Sequence, residues 1–241
     1  MPDNKKIAII IPTYNHGTRI SDVVQQTVLL GYPLFVVDDG STDATADILS
    51  SMDRQQLTVL THPQNLGKGA ALISGFEAAQ KQCCEWAVTI DADGQHKPED
   101  VEKLIQARAA GQRAIIIGNR QGMDQTHVPW TSKAGKKFSN FWVWLSGGPM
   151  VDDSQSGFRL YPLPEVLELD VKARRFQYEV EVLVQAHRNK IPVRETPVQV
   201  VYQAGKERIS HFHPWRDFLR NAATFSRLIF RRIISFLLPK R

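Results

Sequence analysis

Two carboxylates one residue apart, Asp91 and Asp93, follow the apolar run Trp86–Ile90 and lead into Gly94-Gln95-His96. An Asp-x-Asp at a strand end sets two hard oxygen donors close together. That suits Mg²⁺ or Mn²⁺, which take one or two carboxylates and complete their shell with water and substrate phosphate oxygens. A metal held there would neutralise a departing diphosphate. Two earlier runs end in the same way. Lys6–Ile11 passes into Pro12-Thr13-Tyr14-Asn15, and Leu34–Val37 into Asp38-Asp39-Gly40-Ser41-Thr42-Asp43. Each string alone has a bland account: Asp39-Gly40-Ser41 favours a turn, Asp43 a helix N-cap, and acidic pairs often cap the next helix. Three polar strand ends on one edge are more than turn chemistry requires.

A second acidic string, Asp152-Asp153-Ser154-Gln155-Ser156-Gly157-Phe158-Arg159, stands far along the chain. A carboxylate of such a string, Asp153 among them, can act as a general base that takes the proton of an attacking hydroxyl. A phosphate acceptor, already ionised at neutral pH, needs no such help, and Asp153 would then orient groups. The plain alternative is a surface ion pair between Asp153 and Arg159. Asn65-Leu66-Gly67-Lys68-Gly69 lacks the Gly-x-x-x-x-Gly-Lys-Ser/Thr pattern, which excludes an ATP-type phosphate loop; its glycines fit a tight entry into a helix. Glu179 and Glu181 are weaker candidates for the task given to Asp153 or else solvated positions, and His96 reads as a structural residue opening the turn before Pro98. Arg208 suits phosphate, because its fork matches phosphate oxygens in pairs.

These residues need a scaffold that brings strand ends together. Strands are expected at Lys6–Ile11, Leu34–Val37, Leu57–Thr61, Trp86–Ile90 and Ala114–Ile117. Amphipathic stretches near Ile20–Leu30, Ala44–Met52, Gly69–Gln82 and Glu99–Ala110 alternate with them. That alternation predicts an α/β fold, a mainly parallel central sheet flanked by helices, in which ligands bind beyond the carboxyl ends of the strands. Arg120–Lys137 reads as a loop of the kind that closes over sites. A helix at Phe138–Leu145, a turn at Gly147-Gly148-Pro149, a helix at Tyr178–Arg188 and a strand at Val193–Val201 follow.

The strings, in this order, resemble family 2 glycosyltransferases of GT-A fold, the group that includes dolichyl- and polyprenyl-phosphate sugar synthases. The resemblance rests on Ile11-Pro12-Thr13-Tyr14-Asn15, Val37-Asp38-Asp39-Gly40-Ser41, Asn65-Leu66-Gly67-Lys68-Gly69, Asp91-Ala92-Asp93-Gly94-Gln95-His96, Gly118-Asn119-Arg120 and Ser156-Gly157-Phe158-Arg159. It implies an inverting sugar transferase using a UDP- or GDP-sugar with Mg²⁺ or Mn²⁺. Pro12, Tyr14, Val37 and Asp39 would hold the nucleoside. Asp91 and Ala92 would line ribose and phosphates, Asp93 with Gln95 would hold the metal, and Lys68, Arg120 and Arg208 would meet the diphosphate or sugar. The lipid-sugar synthases usually carry Glu after the first strand's Asn; this chain has His16, which departs from the dolichyl-phosphate-mannose pattern.

Of 241 residues, 42% are hydrophobic and 23% charged, ordinary for a globular chain with enough length to bury a core. No leader-like apolar run stands at the start, and the two cysteines, Cys83 and Cys84, are adjacent, a spacing that disfavours a disulfide and points to a reducing, cytoplasmic setting. The net charge of +5 is uneven: from Lys206 to Arg241 nine Lys/Arg face two acids. Apolar residues there recur at Trp215, Phe218, Leu219, Ala222, Phe225, Ile229, Ile233 and Leu237, a helical spacing that leaves Arg216, Arg220, Arg227, Arg231 and Arg232 mostly elsewhere. The expectation is a transferase domain over 1–212 and a basic amphipathic helix over 213–241. That helix would lie on the inner face of a membrane, where a lipid acceptor waits, or pack on the domain or in a homodimer. A soluble or polysaccharide acceptor is the alternative. Nucleic-acid binding ranks last, because the strand-end carboxylates repel phosphate without a metal.

Overall fold

A computed structural model of the chain describes residues 6–53, 55, 57–121, 130–200 and 214–237; of 130–134, 214–219 and 235–236 it describes the backbone alone. In chain order the elements are β1 (Ile7–Thr13), α1 (Ile20–Val28), β2 (Leu34–Asp38), α2 (Thr45–Ser50), β3 (Leu57–Thr61), α3 (Lys68–Lys81), β4 (Trp86–Thr89), α4 (Val101–Gln106), β5 (Ile115–Gln121), α5 (Trp130–Leu145), β6 (Arg159–Pro162), α6 (Tyr178–Arg188), β7 (Val193–Gln199) and α7 (Pro214–Leu237). The strands form one seven-stranded sheet ordered β3-β2-β1-β4-β6-β5-β7. Every pairing is parallel except those of β6, which runs against both β4 and β5. The expected α/β architecture is present.

Because side chains alternate along a strand, β1 feeds two cores at once. Ile7, Ile9 and Ile11 pack with α1 and α4 residues such as Val23, Val24, Leu104 and Ile105, whereas Ala8 and Ile10 face Leu72 and Phe76 of α3 and Leu183 of α6. A strand covered on both faces must be apolar throughout, which is why Ile7–Ile11 shows no alternation.

Two expectations change in the second half. The helix placed at Phe138–Leu145 begins at Trp130, and β5 runs to Gln121, so the expected loop Arg120–Lys137 shrinks from both ends; its remainder lies outside the described residues. Strand β6 was not foreseen. It has four residues, begins in a charged side chain and ends in proline, so neither alternation nor an apolar run marks it.

The final helix is bound to the domain. Phe225 and Leu228 of α7 are buried in the core beside α5 and α6, and the Phe225 ring stacks on Trp142 at 5.9 Å. Arg227 donates to the buried carboxylate of Glu181 at 2.7 Å, Arg231 to Asp170 at 3.1 Å, and Arg232 to the Leu145 carbonyl at 2.7 Å. Arg227 and Arg232 turn towards the domain and Arg231 makes a surface pair with it, so none of the three is left to the far side as their spacing suggests. Phe230, Ile233, Ile234 and Leu237 stand exposed instead. No helix among the described residues is long and apolar enough to cross a membrane.

Candidate functional site

The carboxyl ends of β1, β2 and β4 lie side by side because these strands are parallel neighbours, with Thr13 opposite Asp38 and Ile10 opposite Thr89. Strand β6 runs the other way, so it is its beginning that reaches this edge: Arg159 stands opposite both Thr89 and Ile117. The antiparallel strand thereby delivers Asp153–Phe158 to the ends of β4 and β5. Sequence strings separated by more than fifty residues become one site.

On the β1–β2 side the loops are sewn by hydrogen bonds. The Asn15 amide donates to Ser41 Oγ at 2.9 Å, and the Thr42 amide to Asn15 Oδ1 at 2.7 Å. Asn15 holds this place with φ 54, a left-handed conformation asparagine tolerates. Asp43 accepts from the Thr45 amide and hydroxyl and from the Gly17 amide, so it supports the start of α2 while tying it to the β1 loop. Asp39 is buried, and its oxygens accept from His62 Nδ1 at 2.7 Å, the Leu66 amide at 2.9 Å and the Gly67 amide at 2.7 Å. It thus shapes the turn into α3. Gly40, at φ 72, passes so close to this segment that a Cβ would lie 2.5 Å from the Gln64 carbonyl carbon. His62, which no sequence signal marked, completes the arrangement through Ser74 Oγ at 2.9 Å.

On the β4–β6–β5 side ion pairs do the holding. Lys68, the first residue of α3, places its ammonium 2.6 Å from both Asp91 Oδ1 and Glu179 Oε1. Burial pushes the Asp91 carboxyl up, but the charge and hydrogen bond of Lys68 more than offset this and hold it below the ordinary range. Burial likewise lowers the Lys68 ammonium's pKa, and the two carboxylates reverse that and raise it. Glu179 and Glu181 are therefore buried members of ion pairs, not solvated positions.

Asp153 is wholly buried, and its two oxygens take the Arg120 guanidinium in parallel, at 2.7 Å from Nε and 2.8 Å from Nη2, with Lys136 at 3.8 Å. Burial raises its carboxyl; the Arg120 bonds and charge outweigh this and set it below the ordinary range. The alternative, a pair with Arg159, does not form. Arg159 is buried and donates to the carbonyls of Ser154, Ser156 and Glu179, fastening 154–157 to the first turn of α6. Glu195 of β7, also unforeseen, accepts from the Asp152 and Asp153 amides at 2.8 and 2.9 Å and so fixes Asp153 from behind.

His96 is buried and stacked on Phe158 at 4.9 Å; burial lowers its pKa to about 4, which keeps it neutral and structural. Pro12, Val37 and Ala92 are buried in the packing, while Tyr14, Asp93, Gln95 and Arg120 keep partly exposed positions along the edge. Arg208 lies outside the described residues. Among the described residues no three His, Cys, Asp or Glu side chains are grouped to cage a metal. Mg²⁺ and Mn²⁺ need no cage: Asp93, half-buried at the strand end with Oδ1 on the Gln95 amide at 3.0 Å, belongs to a hard-oxygen set that suits either ion beside a phosphate.

A mainly parallel sheet whose strand ends gather acids, a guanidinium and glycine turns defines a class, the nucleotide-sugar transferases of GT-A architecture. The chain belongs to glycosyl transferase family 2, whose model matches residues 8–166, and it is a glycosyltransferase. It is 33% identical over 218 residues to the UDP-N-acetylglucosamine–dolichyl-phosphate N-acetylglucosaminyltransferase of Methanococcus voltae, covering 83% of this chain and 87% of that one. It is 28% identical over 204 residues to the polyprenol monophosphomannose synthase of Mycolicibacterium smegmatis, covering 80% and 77%. Among solved structures, mannosyl-3-phosphoglycerate synthase from Rubrobacter xylanophilus superposes with a TM-score of 0.64 at 16% identity, over 98% of this chain and 76% of that one, a likeness of fold.

Proposed function

We propose that this glycosyltransferase moves a sugar, with inversion and with Mg²⁺ or Mn²⁺, from a UDP- or GDP-sugar to a phosphorylated polyprenyl lipid or a related membrane glycolipid. The observation that carries the reading is the shared edge at which Asp39, Asp91, Asp93 and the Arg120–Asp153 pair converge. Pro12, Tyr14, Val37 and Asp39 border the nucleoside, Asp91 and Ala92 the ribose and phosphates, and Asp93 with Gln95 the metal. A bound metal would offset the charge of the departing diphosphate. Arg120 and Arg208 supply positive charge around it, and Lys68 borders it through its pairing with Asp91.

Asp153 was expected to act as a base or, with a phosphate acceptor, to orient groups, and its surroundings favour the second task. A general base needs a pKa near the working pH and a lone pair open to the acceptor. Asp153 has a lowered pKa and chelates Arg120. It serves by aiming that guanidinium. A phosphate acceptor, which needs no deprotonation, fits such a site, and the dolichyl-phosphate and polyprenol relatives support that choice of acceptor.

The transfer domain over 1–212 would be held at the inner face of a membrane by 213–241. Since Arg227, Arg231 and Arg232 are engaged with the domain, the exposed Phe230, Ile233, Ile234 and Leu237 would carry the attachment. Changing Phe230, Ile233 and Leu237 together to Ser is expected to abolish flotation with anionic vesicles and leave the melting temperature unchanged. Flotation equal to wild type would reject attachment through this face.

The activity test is a panel of UDP- and GDP-sugars incubated with Mn²⁺, with EDTA, and with polyprenyl phosphate in detergent. One donor should be consumed in Mn²⁺ alone, with sugar of inverted configuration recovered in the organic phase. Asp93→Asn should keep the fold and lose roughly a hundredfold or more in turnover, the loss of several kcal/mol that a metal supplies. Full turnover of this variant in excess EDTA would reject the metal reading.

A further inference from the structure

Lys68 was expected to reach for phosphate, yet its ammonium is already taken by two carboxylates from different parts of the chain. Asp91 Oδ1 and Glu179 Oε1 each stand 2.6 Å from the same nitrogen, and the Glu179 side chain is nine-tenths buried. The main chain closes one side of this arrangement. A Cβ on Gly157 would lie 2.7 Å from Lys68 Nζ, 2.7 Å from Asp91 Oδ2 and 2.8 Å from Glu179 Oε1. The segment containing Gly157 is fastened to α6 by the buried Arg159 guanidinium. One ammonium against two carboxylates leaves a net negative charge, more than a structural ion pair needs. Two oxygens 2.6 Å from one point stand at the long end of Ca²⁺–O distances, and a smaller ion such as Mg²⁺ or Mn²⁺ in that place would draw the carboxylates inward.

We infer that the Lys68 ammonium is a resident cation, occupying a seat between Asp91 and Glu179 that a divalent ion would otherwise take. Lys68 and Glu179 are then positioning residues. They keep Asp91 neutralised before any nucleotide arrives and leave the exchangeable metal to Asp93. A tethered ammonium cannot diffuse away, so this half of the site is organised with or without metal, whereas the Asp93 half waits for ion and diphosphate together. The inference rests on the reading of Asp91 and Asp93 as the diphosphate end of the site.

The test uses Mn²⁺ alone, without nucleotide, read by electron paramagnetic resonance and calorimetry on wild type, Lys68→Met, Glu179→Gln and the double variant. With the ammonium gone, Lys68→Met should bind Mn²⁺ roughly tenfold or more tightly than wild type, a modest share of the attraction two freed carboxylates exert at short range. Glu179→Gln alone, which leaves Lys68 on Asp91, should bind Mn²⁺ no more tightly than wild type. The double variant loses one charge of each sign and leaves a single carboxylate in the seat, so it should fold even if Lys68→Met does not, and bind Mn²⁺ with intermediate strength. Mn²⁺ affinities in Lys68→Met and the double variant no greater than in wild type overturn the inference; where only the double variant folds, its equality with wild type overturns it. A wild type that binds neither UDP nor GDP would sink the proposed function and leave the Mn²⁺ comparison standing.

Discussion

The two sides of the strand-end edge are held by different forces. Around β1 and β2 the loops are joined through amides, hydroxyls and two carboxylates that accept from the backbone: Asn15 to Ser41 and Thr42, Asp43 to Thr45 and Gly17, Asp39 to the Leu66 and Gly67 amides. Around β4, β6 and β5 the holding groups are charged and paired, Lys68 with Asp91 and Glu179, Arg120 with Asp153. The difference follows the ligand each side would meet. A nucleoside is neutral, and a surface fixed by local hydrogen bonds can be rigid before it arrives. A diphosphate brings charge, and groups that face it must be kept from collapsing or repelling one another until it does; pairing them with each other achieves this.

The contrast can be broken most forcefully at Arg120. Arg120→Met leaves a buried carboxylate without its guanidinium, so the protein should lose about 3–5 kcal/mol by chemical denaturation, the usual cost of breaking a buried pair from one side. Adding Asp153→Asn should restore most of that stability but none of the turnover. Recovery of turnover in the double variant would show that Arg120 acts only in folding. Asp39→Ala probes the other side and should cost less, about 1–3 kcal/mol, since the buried Gly67 amide and the part-buried Leu66 amide lose their acceptor. Affinity for UDP and GDP by calorimetry should fall with it, because the turn at Leu66 and Gly67 is shaped by the same carboxylate. Unchanged nucleotide affinity would detach Asp39 from the nucleoside side.

Acid gives the gentlest separation. Asp91 and Asp153 both have lowered pKa values in the folded chain. The stability each adds is present above the unfolded carboxylate value of about 3.9 and is lost as pH falls through the lower folded value. Below about pH 4 the charged side should therefore soften, together with the Gly17–Thr45 tie made by Asp43, whose pKa is lowered as well. Both should go ahead of the Asn15–Ser41–Thr42 bonds, read as faster amide exchange near Asp153 than near Asn15. Uniform loosening of both sides would contradict the division.

How much of this the amino-acid string discloses depends on the range of the interaction. Strand ends such as Val37-Asp38-Asp39 and Asp91-Ala92-Asp93 are local patterns, and they fall where expected, at the edge of a mainly parallel sheet. The helix Tyr178–Arg188 coincides with its expectation, yet the burial of Glu179 and Glu181 on it was missed, because only Lys68 and Arg227, distant in sequence, make that burial tolerable. The same holds for Glu195 beneath Asp153 and His62 beside Asp39: no spacing signals a partner forty or twenty residues away. The helical stripe of α7 was legible, but not which of its faces the arginines would serve.

The reversed strand β6 also has a meaning in time. During synthesis β1 to β4 can pair as they appear, since each finds a neighbour among strands already made. β5 cannot: both of its neighbours, β6 and β7, come later in the chain, and β4 keeps an open side until Arg159–Pro162 has been made. A nascent or truncated chain ending before residue 159 therefore presents one bare edge of β4, Trp86–Thr89, and a β5 segment, Ile115–Ile117, with no partner on either side, the kind of apolar surface on which chains aggregate. One short antiparallel strand both assembles the candidate site and joins the two parts of the sheet, so a fragment that lacks it is expected to lose the site and to self-associate.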